Sequence, residues 1–268
     1  MAFSGLITVA NLVLCLLVGA RLLRIGCDAD RKPERALAVY FLASAFFATV
    51  CQAVAYGALV DPRLALPETQ SRLVLGAGVL GMAVGAAAVW CFTWLAFRPD
   101  DSRARMAAFA GSVLALGGWA FEAMHEGFAI TLNPGPGHWL AWLGRTGAAA
   151  WVAMESFRYW AMLRRRLRID LADPVVVNRF FLWGVWSLAT FANLSADLVA
   201  RTLYWSLAET RTELVMEVIE PVVIGTMAVT MVLSIISAVT LFLTFFPSAG
   251  YRRWIKQRAN RKFVATWR

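Results

Sequence analysis

Charge, histidine, lysine and cysteine are all scarce in this chain, and each shortage excludes a class of protein. Only 16% of the 268 residues are charged while 60% are hydrophobic, a balance that a soluble domain of this size does not sustain without aggregating. Two histidines, His125 and His138, are too few for a three-histidine zinc site within one chain. Of the four cysteines, Cys15, Cys51 and Cys91 fall in apolar runs and Cys27 in a connection. None is placed for an exported disulfide framework, and they read as buried small hydrophobes.

What the chain has instead is a series of seven long apolar runs, about Phe3 to Leu23, Ala36 to Val60, Leu73 to Phe97, Met106 to Ile130, Trp139 to Met162, Phe180 to Trp205, and Val218 to Phe246. At roughly 20 residues per crossing these nearly exhaust the length, leaving no room for a soluble catalytic domain. All but five of the 26 basic residues lie in clusters at Arg21 to Arg35, Arg98 to Arg105, Arg158 to Arg179 and Arg252 to Arg268, on alternate connections. That is the positive-inside pattern. It predicts an all-α integral membrane protein, a bundle of seven transmembrane helices in a cytoplasmic or plasma membrane. The N-terminus is expected outside and the C-terminus in the cytoplasm. The first run lacks a basic region before it and reads as a retained span, not a signal peptide. The net charge of +9 is explained by topology and anionic lipid, not by nucleic acid. Residues 1–250 form one domain. The tail 251–268 mixes Trp254, Ile255, Phe263, Val264 and Trp267 with basic residues, as in an interfacial amphipathic helix or a solvated anchor.

Within the spans, Gly76-Ala77-Gly78-Val79-Leu80-Gly81 matches the letters of a dinucleotide fingerprint. It has no strand before it, so it is a packing surface instead. With Gly85 it makes a small-xxx-small face for another helix, inside the bundle or between protomers of a homo-oligomer. Thr226, Thr230, Ser234 and Ser237 form a small polar stripe on the last span, either an interhelical hydrogen-bond seam or a path for a facilitator. No ionisable residue lies at the middle of any span, which counts against a proton pump or ion-coupled transporter. Seven helices with an outside N-terminus resemble rhodopsins and other seven-helix receptors in topology. A retinal pigment needs a lysine in its last helix, and the lysines here are Lys32, Lys256 and Lys262, so covalent retinal is excluded.

The outer third of the later spans carries the ionisable groups: Glu122, His125 and Glu126 on the fourth, His138, Trp142 and Arg145 on the fifth, Asn193, Asp197 and Arg201 on the sixth, Glu213, Glu217 and Glu220 on the seventh. Their three- and four-residue spacings put each set on one face of an α-helix. One account is structural, with Arg145 paired to Asp197 or Glu122 and Arg201 to Glu217. A second is a ligand site, in which Glu122, Arg145, Asn193, Asp197, Arg201 and Glu217 fix a small polar or zwitterionic molecule. Trp142, with Trp119, Trp139 and Trp205, would wall it. A third is a divalent metal held by Glu122, His125, Glu126, Asp197 and Glu217, as in a membrane hydrolase or oxidase acting on a lipid-like substrate. On the cytoplasmic side Glu155 is expected to pair with Arg158 three residues on, and the loop from Arg158 to Arg179 offers a soluble partner a docking surface. The expectation favoured is a receptor-like or sensory protein with an outward-facing site that signals through a separate cytoplasmic partner. A metal-dependent enzyme, a facilitator or a structural subunit are the alternatives.

Overall fold

The computed structural model describes residues 2–60, 66–128, 135–167, 169–209 and 214–266, and their side chains except at 2–5, 58–60, 126, 204–209, 214–220, 223 and 260–266. The chain is all-helical, without strands among the described residues. It forms α1 (Ala2–Asp28), α2 (Lys32–Val39), a π-helical stretch (Tyr40–Ala48), α3 (Thr49–Val60), α4 (Glu68–Phe97), α5 (Ser102–Phe121), a π turn (Glu122–Glu126), α6 (Pro136–Leu167), α7 (Pro174–Glu209), α8 (Leu214–Phe245) and α9 (Ala249–Thr266). α2, the π stretch and α3 run on as one rod. Among the described residues six helical segments are long and apolar enough to cross a membrane: Leu6–Asp28, Lys32–Gly57, Glu68–Phe97, Ser102–His125, Pro174–Leu203 and Ile224–Phe245. Their outward faces carry exposed Leu6, Val9, Val13, Phe109, Val113, Val229, Val232 and Phe242, the side chains an apolar solvent tolerates. The chain is therefore described as an integral membrane protein. α6 is the exception to the seven apolar runs. Arg145 and Glu155 lower its apolarity, and it is wrapped by α4, α5 and α7 instead of meeting that criterion.

The helix boundaries follow local chemistry. Asp101 accepts from the backbone N–H of Arg103 at 2.9 Å and of Ala104, capping α5. Those bonds, led by that of Arg103, hold its carboxyl below the usual range, so the cap is ionised at neutral pH and is lost only as pH falls through that lowered value. Asp173 caps α7 through Val175 N at 2.8 Å, ahead of Pro174, and α6 begins on Pro136, a residue suited to a first turn. α9 packs on α7: Asn178 Nδ2 donates to Tyr251 Oη at 3.0 Å and Ile255 is buried. Arg252, Arg253, Lys256 and Arg258 stay exposed on its other side.

The glycine face of α4 is occupied within the chain. A Cβ at Gly81 would sit 2.6 Å from the Ala43 carbonyl oxygen, and one at Gly78 3.0 Å from Cys51 Cβ. Only a missing side chain lets the π stretch and the start of α3 approach so closely. The dominant core lies towards the arginine-rich end, where Cys15, Val18, Leu22, Phe41, Val89, Phe97, Val152, Trp183, Trp186 and Leu241 interlock. Aromatic edges tie the helices there: Tyr40 to Trp186 at 5.6 Å, Phe92 to Trp183 at 5.8 Å, and Phe97 to Tyr159 at 5.2 Å.

Glu155 does not pair with Arg158. It is 1% exposed and meets Arg98 Nη2 at 2.6 Å, while Arg158 is exposed. Arg98, the residue that ends α4, also lies 3.5 Å from Asp101, so one guanidinium joins α4, α5 and α6. A buried carboxylate cannot be left beside a flexible surface arginine when a better-enclosed one is in reach, because an uncompensated buried charge costs several kcal/mol. Arg98→Met should therefore lower stability by about 3 kcal/mol, and adding Glu155→Leu should restore most of the loss. Denaturation in detergent measures both, and a neutral single substitution would show that the pair holds nothing together.

Candidate ligand site at the ends of α5, α6 and α7

Opposite the arginine-rich end, α5 stops being α-helical where its acids begin. Glu122–Glu126 form a π turn, and Gly127 closes it in the left-handed region at φ 62° while its N–H donates to the Glu122 carbonyl at 2.8 Å. The expected single α-helical face is thereby broken. Exposed His125 is stacked on Phe121, ring centroids 4.3 Å apart, with Nδ1 3.2 Å from that residue's own carbonyl. Glu122 is half-buried and interacts electrostatically with Arg145.

α6 enters close to α5 and α7. A Cβ on Gly144 would meet Ala115 Cα at 2.8 Å. Trp90 Nε1 donates to the Gly144 carbonyl at 2.9 Å and Trp142 Nε1 to the Leu194 carbonyl at 3.1 Å. These indole bonds fix α6 against α4 on one side and α7 on the other, and they set where Arg145 emerges. Its Nη1 donates to Met82 Sδ at 2.9 Å, and Gln52 Nε2 reaches the same sulfur at 3.6 Å. Arg145 Nε is buried and has no hydrogen-bond partner among the described residues.

Asp197 closes on its own helix, 2.9 Å from Arg201 Nε, and both ends of that pair are well exposed. The Tyr56 hydroxyl of α3 lies close enough to interact electrostatically with Arg201. Electrostatic coupling joins the rest: His138 interacts with Arg145, Arg201 and Asp197, and Arg145 with Asp197, Arg201 and Glu122. One group of charges therefore draws on the π turn after α5, α6 and α7, with Tyr56 of α3 beside it. Two further buried atoms in this region, His138 Nε2 and Asn193 Oδ1, lack hydrogen-bond partners among the described residues. Asn193 stands one turn before Asp197 on the same face of α7.

Of the residues expected at this site, Glu122, Arg145, Asp197 and Arg201 belong to one electrostatic group, and Trp142 and Asn193 flank it. The side chains of Glu126, Trp205, Glu217 and Glu220, and all of Glu213, lie outside the described residues. Among the described residues no three of His, Cys, Asp and Glu are gathered as metal ligands. The Thr226 hydroxyl bonds back to the Val222 carbonyl of its own helix at 2.8 Å, a local bond that needs no neighbouring helix. Sequence reasoning passed over Tyr56, Gln52 and Met82. Gln52 and Tyr56 are four residues apart, a polar pair on one face of an apolar span, and that spacing was the available signal. Met82 carried none, since a thioether in a glycine-rich run looks like packing.

No family model matches the chain, and no curated protein or solved structure is detectably similar to it.

The exposed pair and the buried arginine should behave differently. Asp197→Asn is expected to change unfolding stability by less than about 1 kcal/mol, as for other solvent-screened pairs. A loss of several times that, measured by denaturation in detergent, would mean that Asp197 holds the helix ends together.

Proposed function

We propose that the chain is a receptor-like seven-helix membrane protein that binds a small polar ligand at the end holding Arg145, and that this end faces outward. α6 completes the seven spans as a polar helix shielded by its neighbours. The arginine-rich connections and α9 then lie on the cytoplasmic side, as the positive-inside rule expects. The observation that supports the reading is the convergence of charges from α6, α7 and the π turn, beside Tyr56 of α3, around buried polar atoms without hydrogen-bond partners among the described residues. Native proteins satisfy nearly all such atoms, and a ligand's polar groups would meet those at this end.

The scaffold also gives a ligand something to move. α6 carries Arg145 near one end and Glu155 ten residues on, about 15 Å along the axis. A ligand that draws on Arg145 differently in two arrangements of α6 biases the Arg98–Glu155 junction between them by that difference in affinity, and by no more. The connection between α6 and α7, with Arg164, Arg165 and Arg166 leading into it, is where a soluble partner would read the shift. The metal-dependent reading has less support, because His125 is engaged with Phe121.

Fractions of a metabolite extract tested on the purified protein in nanodiscs provide the check. At least one fraction should raise the unfolding midpoint of the wild type and alter hydrogen exchange in the α6–α7 connection. Arg145→Glu and Asp197→Arg should lose both effects while still inserting. Equal responses in the variants would refute the assignment.

A further inference from the structure

We infer that the ligand of this site is a small monocarboxylate bearing a hydrogen-bond donor beside its carboxyl group, with Arg145 as the anchor and Asn193 as the acceptor for that donor. The inference rests on the reading of this end as a ligand site and names the chemistry it selects.

Arg145 presents a guanidinium whose only direct hydrogen bond among the described residues goes to a thioether, Met82 Sδ. Thioether sulfur is a weak acceptor and carries no charge to offset the cation. Its Nε is wholly buried without a hydrogen-bond partner among the described residues. Asp197, the nearby carboxylate on α7, is engaged by Arg201 on its own helix. Among the described residues no ion pair closes on Arg145 within 4.0 Å, since every pair formed involves other arginines. A planar guanidinium with free donors in a water-poor setting is matched by an oxyanion, which accepts from two of its N–H groups at once.

The surrounding charge narrows the class. Arg145 and Arg201 face Glu122 and Asp197, so the group is balanced before anything binds. One added negative charge is tolerated, because Arg145 has donors to spare, but a second meets two carboxylates with no further cation in this group among the described residues. Phosphate dianions and dicarboxylates are therefore disfavoured. Asn193 Oδ1 is a buried acceptor without a donor among the described residues, and it lies next to Leu194, whose carbonyl fixes Trp142 one turn from Arg145. A hydroxyl or amino group next to the carboxylate supplies the missing donor, and leaving such an acceptor unmet discriminates against analogues that lack it. Trp142, 6.4 Å from Trp139 ring to ring, offers apolar cover for a short side chain.

The test uses the full chain in phosphatidylcholine nanodiscs, with sodium lactate, benzoate, succinate and inorganic phosphate as probes, and choline chloride and sodium chloride at matched ionic strength. Lactate should raise the unfolding midpoint saturably, with an apparent Kd at least tenfold lower than those of succinate and phosphate and below that of benzoate, which lacks the donor. Arg145→Met should abolish the lactate shift and raise the midpoint of the ligand-free protein, because an unpaired buried charge is replaced by an apolar chain of similar length. Asn193→Leu should bring lactate down to the level of benzoate, and this second variant keeps the claim testable if Arg145→Met does not fold. A phosphate or succinate shift equal to that of lactate overturns the monocarboxylate class while leaving the site in place. A shift with choline alone overturns anion recognition, and so does no shift with any probe. A lower midpoint in ligand-free Arg145→Met would mark Arg145 as a structural charge and overturn the site reading itself.

Discussion

The bundle is organised around the cost of placing two charges on α6. An ionised side chain surrounded by hydrocarbon costs several kcal/mol unless it is enclosed by protein and partnered. Glu155 is fully enclosed, and Arg145 sits between α4 and α7. Wrapping by α4, α5 and α7 solves that problem. It explains why α6 has small residues wherever a neighbour crosses it closely, such as Gly137 against Glu122 and Gly144 against Ala115. It also explains why α8, which carries no charge from Val222 to Phe245, remains at the edge with Met227, Val232 and Val239 exposed.

The two charges are treated differently, and the difference separates scaffold from site. Glu155 receives a close guanidinium from Arg98, at a junction that also takes in Asp101. The aromatic core beside it, from Phe97 and Tyr159 to Phe180, leaves that end little freedom. Arg145 receives a sulfur atom and a more distant, balanced field. Glu155 is therefore held by a close ion pair to another helix, whereas Arg145 has no such ion pair among the described residues. The π stretch at Tyr40–Ala48 and the π turn at Glu122–Glu126 are the irregular turns of the neighbouring helices.

Much of this architecture was legible from residue order. Apolar runs of about 20 residues gave the helices, Pro99, Pro136 and Pro174 marked their ends, and the glycines of α4 foretold a close helix crossing. Of the expected cluster, Glu122, Arg145, Asp197 and Arg201 interact with one another, and the i+4 spacing survives where the helix is regular, as for Asn193, Asp197 and Arg201. Two things escaped. The π turn at Glu122 changes which residues share a face, and hydrogen-bond register is not written in the spacing of acids. The partner of Glu155 came from another helix, Arg98, because proximity in sequence favoured Arg158 and only the tertiary fold brings α4 against α6. α6, expected as an apolar span, is not among the six helices long and apolar enough to cross a membrane; it carries Arg145 and Glu155 and packs against α4, α5 and α7.

The proposed receptor-like bundle requires α6 to cross the membrane despite its charges. The decisive measurement is labelling of single cysteines, in a cysteine-free background, with a membrane-impermeant maleimide on intact cells, at Gly135 before α6 and at Leu171 after it. Together with positions such as Asp100 and Ala249, Leu171 should be protected until the membrane is opened, whereas Gly135 should react from outside. Labelling of Gly135 and Leu171 from the same side would contradict the account, because α6 would then not span the bilayer and Arg145 would not lie within a bundle at all.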